Sequence, residues 1–184
     1  KFLLPIAPTT NIKELIQLSG HENPISSRYS SGIKTIKHEN DEIDLRSLIT
    51  NSGTEIYLYE KHPAHEYLSQ CDLALTTVGA NTAELASLAI PMIVIIPTQH
   101  LHVMEAWDGL IGIISRLPLF KWLLGIIISL WRLRKKGFMA WPNISANRMV
   151  VPEKIGNILP KQIAKELEEL LQSPKTLQKI KEDL

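Results

Sequence analysis

Apolar residues gather into short runs of strand length at Phe2–Ile6, Glu55–Tyr59, Leu73–Thr76 and Met92–Ile96. Helix-like segments fall between or after them, at Asn11–Leu18, about Ala64–Ser69, and Thr82–Leu88. Alternation of this kind predicts an α/β fold, a Rossmann-like parallel sheet with helices on both faces. The runs Leu73-Ala74-Leu75 and Met92-Ile93-Val94-Ile95-Ile96 are continuous rather than alternating, as expected of central strands covered on both sides. Asn11 is placed to cap the first helix, with Glu14 three residues on completing a capping box. Gly20 to Gly32 is rich in Ser, Gly, Asn and Pro and reads as a loop. Ile163, Leu167, Leu170 and Leu171 recur at helical spacing between Pro160 and the Ser173-Pro174 break, and a second helix follows, so residues 160–184 form terminal helices.

The stretch 107–141 departs from this pattern. It holds all four tryptophans, Trp107, Trp122, Trp131 and Trp141, and an apolar run from Trp122 to Trp131 followed by Arg132-Leu133-Arg134-Lys135-Lys136. Spanning a bilayer takes about 20 apolar residues, and Lys121, Pro118 and Arg116 stop this run from extending backwards. The expectation is an insertion lying in the membrane interface. Trp122 and Trp131 would sit at headgroup depth, and Arg132, Arg134, Lys135 and Lys136 on anionic lipid phosphates. A buried helix followed by a solvated basic turn is the plainer alternative.

Overall composition is that of a folded domain, with 45% hydrophobic and 21% charged residues and a net charge of +1 over 184 residues. Such a balance does not ask for nucleic acid as a partner. Charge is nevertheless segregated, because residues 110–140 carry six basic side chains and no acidic one. A single cysteine, Cys71, excludes an internal disulfide and a Cys-built zinc site, and points to a reducing compartment. It reads as a packed thiol rather than a nucleophile. His62-Pro63-Ala64-His65 and His100-Leu101-His102 lack a carboxylate cluster at ligand spacing, so no metal site is expected. His100 and His102 follow a strand where loops meet ligands in open α/β sheets, while Glu105 and Asp108 have no ground for a base role. Lys1 opens the chain directly before a strand, which leads us to expect a partial domain from the C-terminal part of a longer protein.

The chemistry-bearing stretch runs from Cys71 to Val94. A strand ends at Thr76-Thr77, turns through Val78-Gly79-Ala80 and launches a helix near Asn81-Thr82. Backbone N–H groups at such a helix start can receive a phosphate, and Gly79 would allow its close approach. Glu84, expected in the first helical turn, has the reach for paired hydroxyls such as a ribose diol. By itself a strand–Gly–helix turn is equally an ordinary structural connection.

Thr77-Val78-Gly79-Ala80-Asn81-Thr82-Ala83-Glu84-Leu85, then Ile90-Pro91-Met92-Ile93-Val94, then Trp141-Pro142-Asn143-Ile144-Ser145-Ala146-Asn147-Arg148 through Val150-Val151-Pro152-Glu153 resemble the C-terminal, nucleotide-sugar-binding half of lipid-A-disaccharide synthases, a GT-B glycosyltransferase family. The similarity is nearest to the divergent lipid-A-disaccharide-synthase-related proteins, and it is strong in the first and last of these blocks. The resemblance implies an inverting hexosyltransferase that moves an acylated glucosamine from a UDP donor to a lipid-linked sugar, with no cofactor and no essential metal. Gly79 and Glu84 fall on the family's Ser-Gly-Thr…Glu turn, Glu84 on the ribose hydroxyls. Asn143 and Arg148 fall on the block lining the donor site, with Arg148 on a phosphate. Val78 and Ala80 stand where the family usually carries Ser and Thr, and Asn147 where it carries Gly, leaving Thr77, Asn81 or Thr82 to supply hydroxyl and amide contacts. The general base and acceptor site belong to an N-terminal domain outside this chain, so no catalytic residue is assigned and the chain alone is expected to be inactive. A cytoplasmic location, peripherally attached to the inner face of the membrane, follows from the same resemblance. A non-catalytic membrane-binding module on a decayed glycosyltransferase scaffold is the alternative reading.

Overall fold

The computed structural model describes residues 1–19, 32–39, 45–97 and 137–184. The chain divides into two compact units, Lys1–Glu66 and Tyr67–Leu184.

The first unit is built on a four-stranded mixed sheet ordered β1-β4-β3-β2. Its strands are β1 (Phe2–Pro5), β2 (Ile33–Glu39), β3 (Leu45–Thr50) and β4 (Glu55–Tyr59). β1 and β4 are parallel, in a register that sets Phe2 against Ile56 and Pro5 against Tyr59. β4 and β3 pair antiparallel, as do β3 and β2. Helix α1 (Ile12–Ser19) starts where the capping signal lay. The Asn11 side-chain oxygen accepts the Lys13 N–H at 3.0 Å, satisfying one of the unpaired donors at the helix start. Ile6, Ile12, Leu48 and Leu58 form the core of this unit.

A wholly parallel sheet was expected, and the β2–β3 hairpin corrects that expectation. Both strands escape the period-2 pattern for physical reasons. β2 lies at the edge of its sheet, with Lys34, Thr35 and Ile36 exposed, and its register shifts between Ile33 and Thr35. β3 buries Ser47, whose hydroxyl donates to Glu55 at 2.8 Å and so replaces an apolar position with a satisfied polar one.

The second unit contains a three-stranded, all-parallel sheet ordered β5-β6-β7. Its strands are β5 (Ala74–Thr77), β6 (Met92–Pro97) and β7 (Glu153–Gly156). Central β6 buries Met92, Ile93 and Val94 completely, as its continuous apolar run predicts. β5 behaves differently. It alternates between half-buried and exposed positions, and Leu75 is 47% exposed. An edge strand with one covered face has replaced the central strand expected there, since Ala74 packs on the core while Leu75 points away from it. The short α2 (His65–Leu68) precedes this sheet, and α3 (Ala80–Ser87) joins β5 to β6. α4 (Trp141–Ala146) leads into β7, and α5 (Pro160–Leu171) and α6 (Pro174–Asp183) follow. Leu85, Ile90, Met92, Val94, Ala140, Val150, Val151 and Ile180 make the core, so α3, β6, the α4–β7 connection and α6 share one apolar centre.

Among the described residues no helix is long and apolar enough to cross a membrane. The interfacial residues Trp122, Trp131, Arg132, Arg134, Lys135 and Lys136 lie outside the described residues, as do Trp107, His100, His102, Glu105, Asp108 and the Gly20–Ser31 stretch.

Candidate functional site

β5 delivers the chain to the C-terminal edge of the parallel sheet, where ligands bind in open α/β folds. There the backbone turns at Gly79 with φ 146° and ψ −168°, a region that L side chains rarely adopt. A Cβ at this position would lie 2.9 Å from the Asn81 side-chain oxygen. Conformation therefore calls for glycine, while the Asn81 oxygen, at the end of a side chain, could move aside, and α3 begins at the next residue, Ala80.

The side chains of the turn largely serve the turn itself. Asn81 donates its amide back to the Thr76 hydroxyl, folding over the bend. Thr82 is fully buried, and its hydroxyl donates to the Gly79 carbonyl at 2.8 Å. The same oxygen accepts the Trp141 N–H at 3.2 Å. That bond fastens the first turn of α3 to the first residue of α4, across 59 positions of sequence. Thr77 ends β5 exposed, and Val78 packs against the core. Glu84 is the fifth residue of α3 and half-buried, so it stands in the second helical turn rather than the first. The helix dipole, which fades beyond the first turn, therefore does little for it.

The second block is organised around Asn143. Its side chain is fully buried, and its amide makes four hydrogen bonds. The oxygen accepts the N–H groups of Val150 (2.6 Å) and Val151 (2.8 Å), and the nitrogen donates to the Val151 carbonyl (2.8 Å) and to Glu153 (2.7 Å). A lining role was expected for Asn143. The structure makes it instead the buckle that closes the α4–β7 connection, because these bonds occupy the amide's two donors and two acceptor sites. Glu153, which the residue pattern did not single out, completes the buckle by accepting the N–H groups of Met139 (3.0 Å) and Ala140 (3.0 Å) before α4. The available signal was its place at the end of the resembling block, Val150-Val151-Pro152-Glu153.

Arg148 follows the left-handed Asn147 that ends α4. Its guanidinium holds Asp183, at the end of α6, through two parallel bonds of 2.8 and 3.1 Å. This pairing raises the guanidinium pKa and lowers that of the Asp183 carboxyl below the usual carboxylate range, in both cases chiefly through the side-chain hydrogen bonds. An open groove of about 480 Å³ runs alongside, lined by Ala83 and Ser87 of α3, Trp141 and Ser145 of α4, and Asp183. Trp141 is 53% exposed on its wall.

Candidate residues elsewhere have structural surroundings. The His62 ring nitrogen meets the Ile6 carbonyl. Cys71 donates its thiol to the Tyr67 carbonyl at 3.6 Å, and burial, with Asp72 nearby, raises its pKa, which keeps it neutral. Among the described residues no three His, Cys, Asp or Glu side chains group as a metal ion needs.

Gly79, Asn81, Thr82 and Glu84 thus lie on one turn and helix, with Asn143 drawn against them through the Trp141–Thr82 bond and Arg148 on the same unit beside α6. No family model, no curated protein and no solved structure matches this chain.

Proposed function

We propose that the chain is the donor-binding half of an inverting hexosyltransferase of the lipid-A-disaccharide-synthase type, which takes an acylated glucosamine from UDP and passes it to a lipid-linked sugar. The observation that carries this reading is the fastening of the two resembling blocks, at Thr82 and Trp141, beside the glycine turn at the C-terminal edge of a parallel sheet. The N–H groups of the first turn of α3 would face the donor phosphates, as helix starts do in nucleotide-binding α/β folds. Glu84 would hold the ribose hydroxyls, and Arg148 a phosphate. Asn143, Thr82 and Glu153 act by fixing the backbone around these groups. The general base and the acceptor site are supplied by a separate N-terminal domain, and the basic, Trp-rich segment between the blocks brings the protein to the anionic inner face of the membrane.

Titration of UDP against ADP on the isotope-labelled chain tests this. Selective UDP shifts are expected near Gly79 and Arg148, with Glu84→Ala weakening binding by about 1–3 kcal/mol through lost charged hydrogen bonds. Equal binding of ADP and UDP, or no binding by a folded protein that includes the N-terminal domain, overturns the assignment. Retained binding to anionic vesicles in that second case would favour the non-catalytic membrane module, for which Val78 and Ala80, lacking side-chain hydroxyls, speak.

A further inference from the structure

We propose that Asp183 is a built-in competitor for the donor phosphate, occupying the anion seat of Arg148 until a nucleotide displaces it. The inference rests on the donor-site reading above and adds a self-occupied state to it. A guanidinium fork takes a carboxylate and a phosphate through the same two parallel N–H donors. Arg148 engages Asp183 through its two Nη groups, at 2.8 and 3.1 Å, so that end-on fork cannot accept a phosphate while the pair stands, and only the Nε edge stays open.

Three features make the pair exchangeable rather than permanent. It is solvent-accessible, with side-chain exposures of 52% for Arg148 and 28% for Asp183, and accessible ion pairs are weakly held. Asp183 is the last residue of α6, and Ile180 before it and Leu184 after it pack on the core, so releasing the carboxylate leaves the packed side chains in place. Lys179 lies one helical turn before Asp183 and already favours its charged form, which gives the displaced carboxylate an alternative cation at i,i+4 spacing. Asp183 also lines the groove along α3 and α4, so the exchange would take place beside the helix that carries Glu84. A seat occupied part of the time by its own carboxylate lowers the apparent affinity for any outside anion by the fraction of time it is closed.

The test is calorimetric titration of UDP, and separately of inorganic pyrophosphate, into the full chain as wild type, Asp183→Asn, Asp183→Ala and Arg148→Gln. Thermal melting confirms that each variant is folded. Both Asp183 variants are expected to bind UDP and pyrophosphate about two- to five-fold more tightly than wild type, the range set by an exposed ion pair. Arg148→Gln should bind more weakly than wild type. Unchanged affinity in the Asp183 variants, with Arg148→Gln still weakened, overturns the competitor and leaves the donor site standing. Weaker binding in those variants also overturns it, making Asp183 part of the ligand surface. Absence of UDP and pyrophosphate binding in every folded variant, with the N-terminal domain included, overturns both readings.

Discussion

Among the described residues of the second unit, two that are not glycine have positive φ, and they differ in how well their side chains suit it. Asn147 closes α4 at φ 48° and ψ 31°, donating its N–H to the Ile144 carbonyl. Asparagine tolerates the left-handed region better than other L residues, so it can end the helix in the conformation for which glycine is the commoner choice. Ala89, between α3 and β6, holds φ 51° without that help. Ala89→Gly is expected to raise stability by about 1 kcal/mol, seen as a higher denaturation midpoint at constant m-value. The residue scale also shows where sequence reasoning stops. Gly79 was legible as the glycine of the turn, and its φ of 146° is one that L side chains rarely adopt. Asn143 was legible as a motif member but not in its role, because an amide satisfied internally and one aimed at a ligand read alike in sequence.

At the scale of elements, legibility followed the amount of apolar surface each one buries. β6 and the terminal helices were legible, the first from an unbroken apolar run and the second from Ile163, Leu167 and Leu170 at helical spacing. β2 and β3 were not, because an edge strand with exposed residues and a strand that buries Ser47 next to Leu48 leave no apolar alternation to detect. β7 was missed because it has only four residues, with Ile155 exposed among them. α4 was missed for a different reason. It has six residues and no capping side chain, and it is held by polar bonds, from its own Asn143 to the run before β7 and from Thr82 and Glu153 to its start, rather than by an apolar pattern. Asn143→Ala should therefore release the element as a whole. It strips partners from two buried valine N–H groups and the Val151 carbonyl, and is expected to destabilise the second unit by about 3 kcal/mol in denaturant titration.

Across the molecule the paired termini of α4 and α6 have a pH signature. Asp183 has a lowered pKa in the folded chain, against 3.8 unperturbed. As pH falls through that range the unfolded chain takes up the proton first, so the stabilisation is present above about pH 4 and is lost on further acidification. Arg148, whose pKa the bond to Asp183 raises further, keeps its charge throughout that range. Melting temperatures measured between pH 5 and pH 2 should fall less steeply in Asp183→Asn than in wild type. A shallower wild-type slope would contradict the pairing. The division into two units and the mixed character of the first sheet are properties of this scale that composition and local pattern do not carry, because strand partners far apart in sequence leave no local mark.

The parallel pairing of β6 with β7 sets Val94 beside Glu153 and leaves the whole intervening chain as a single connection. Closing a connection costs entropy only logarithmically in its length, about 0.6 kcal/mol for each doubling. Added residues between Pro97 and Gly137 therefore weigh little on the sheet, provided the Thr82–Trp141 bond and the Asn143 buckle still secure the far end. For the history of such a chain, this is a permissive point of growth. New sequence can enter there, and its charge and aromatic content can drift toward a different surface, while the strands on either side keep their register.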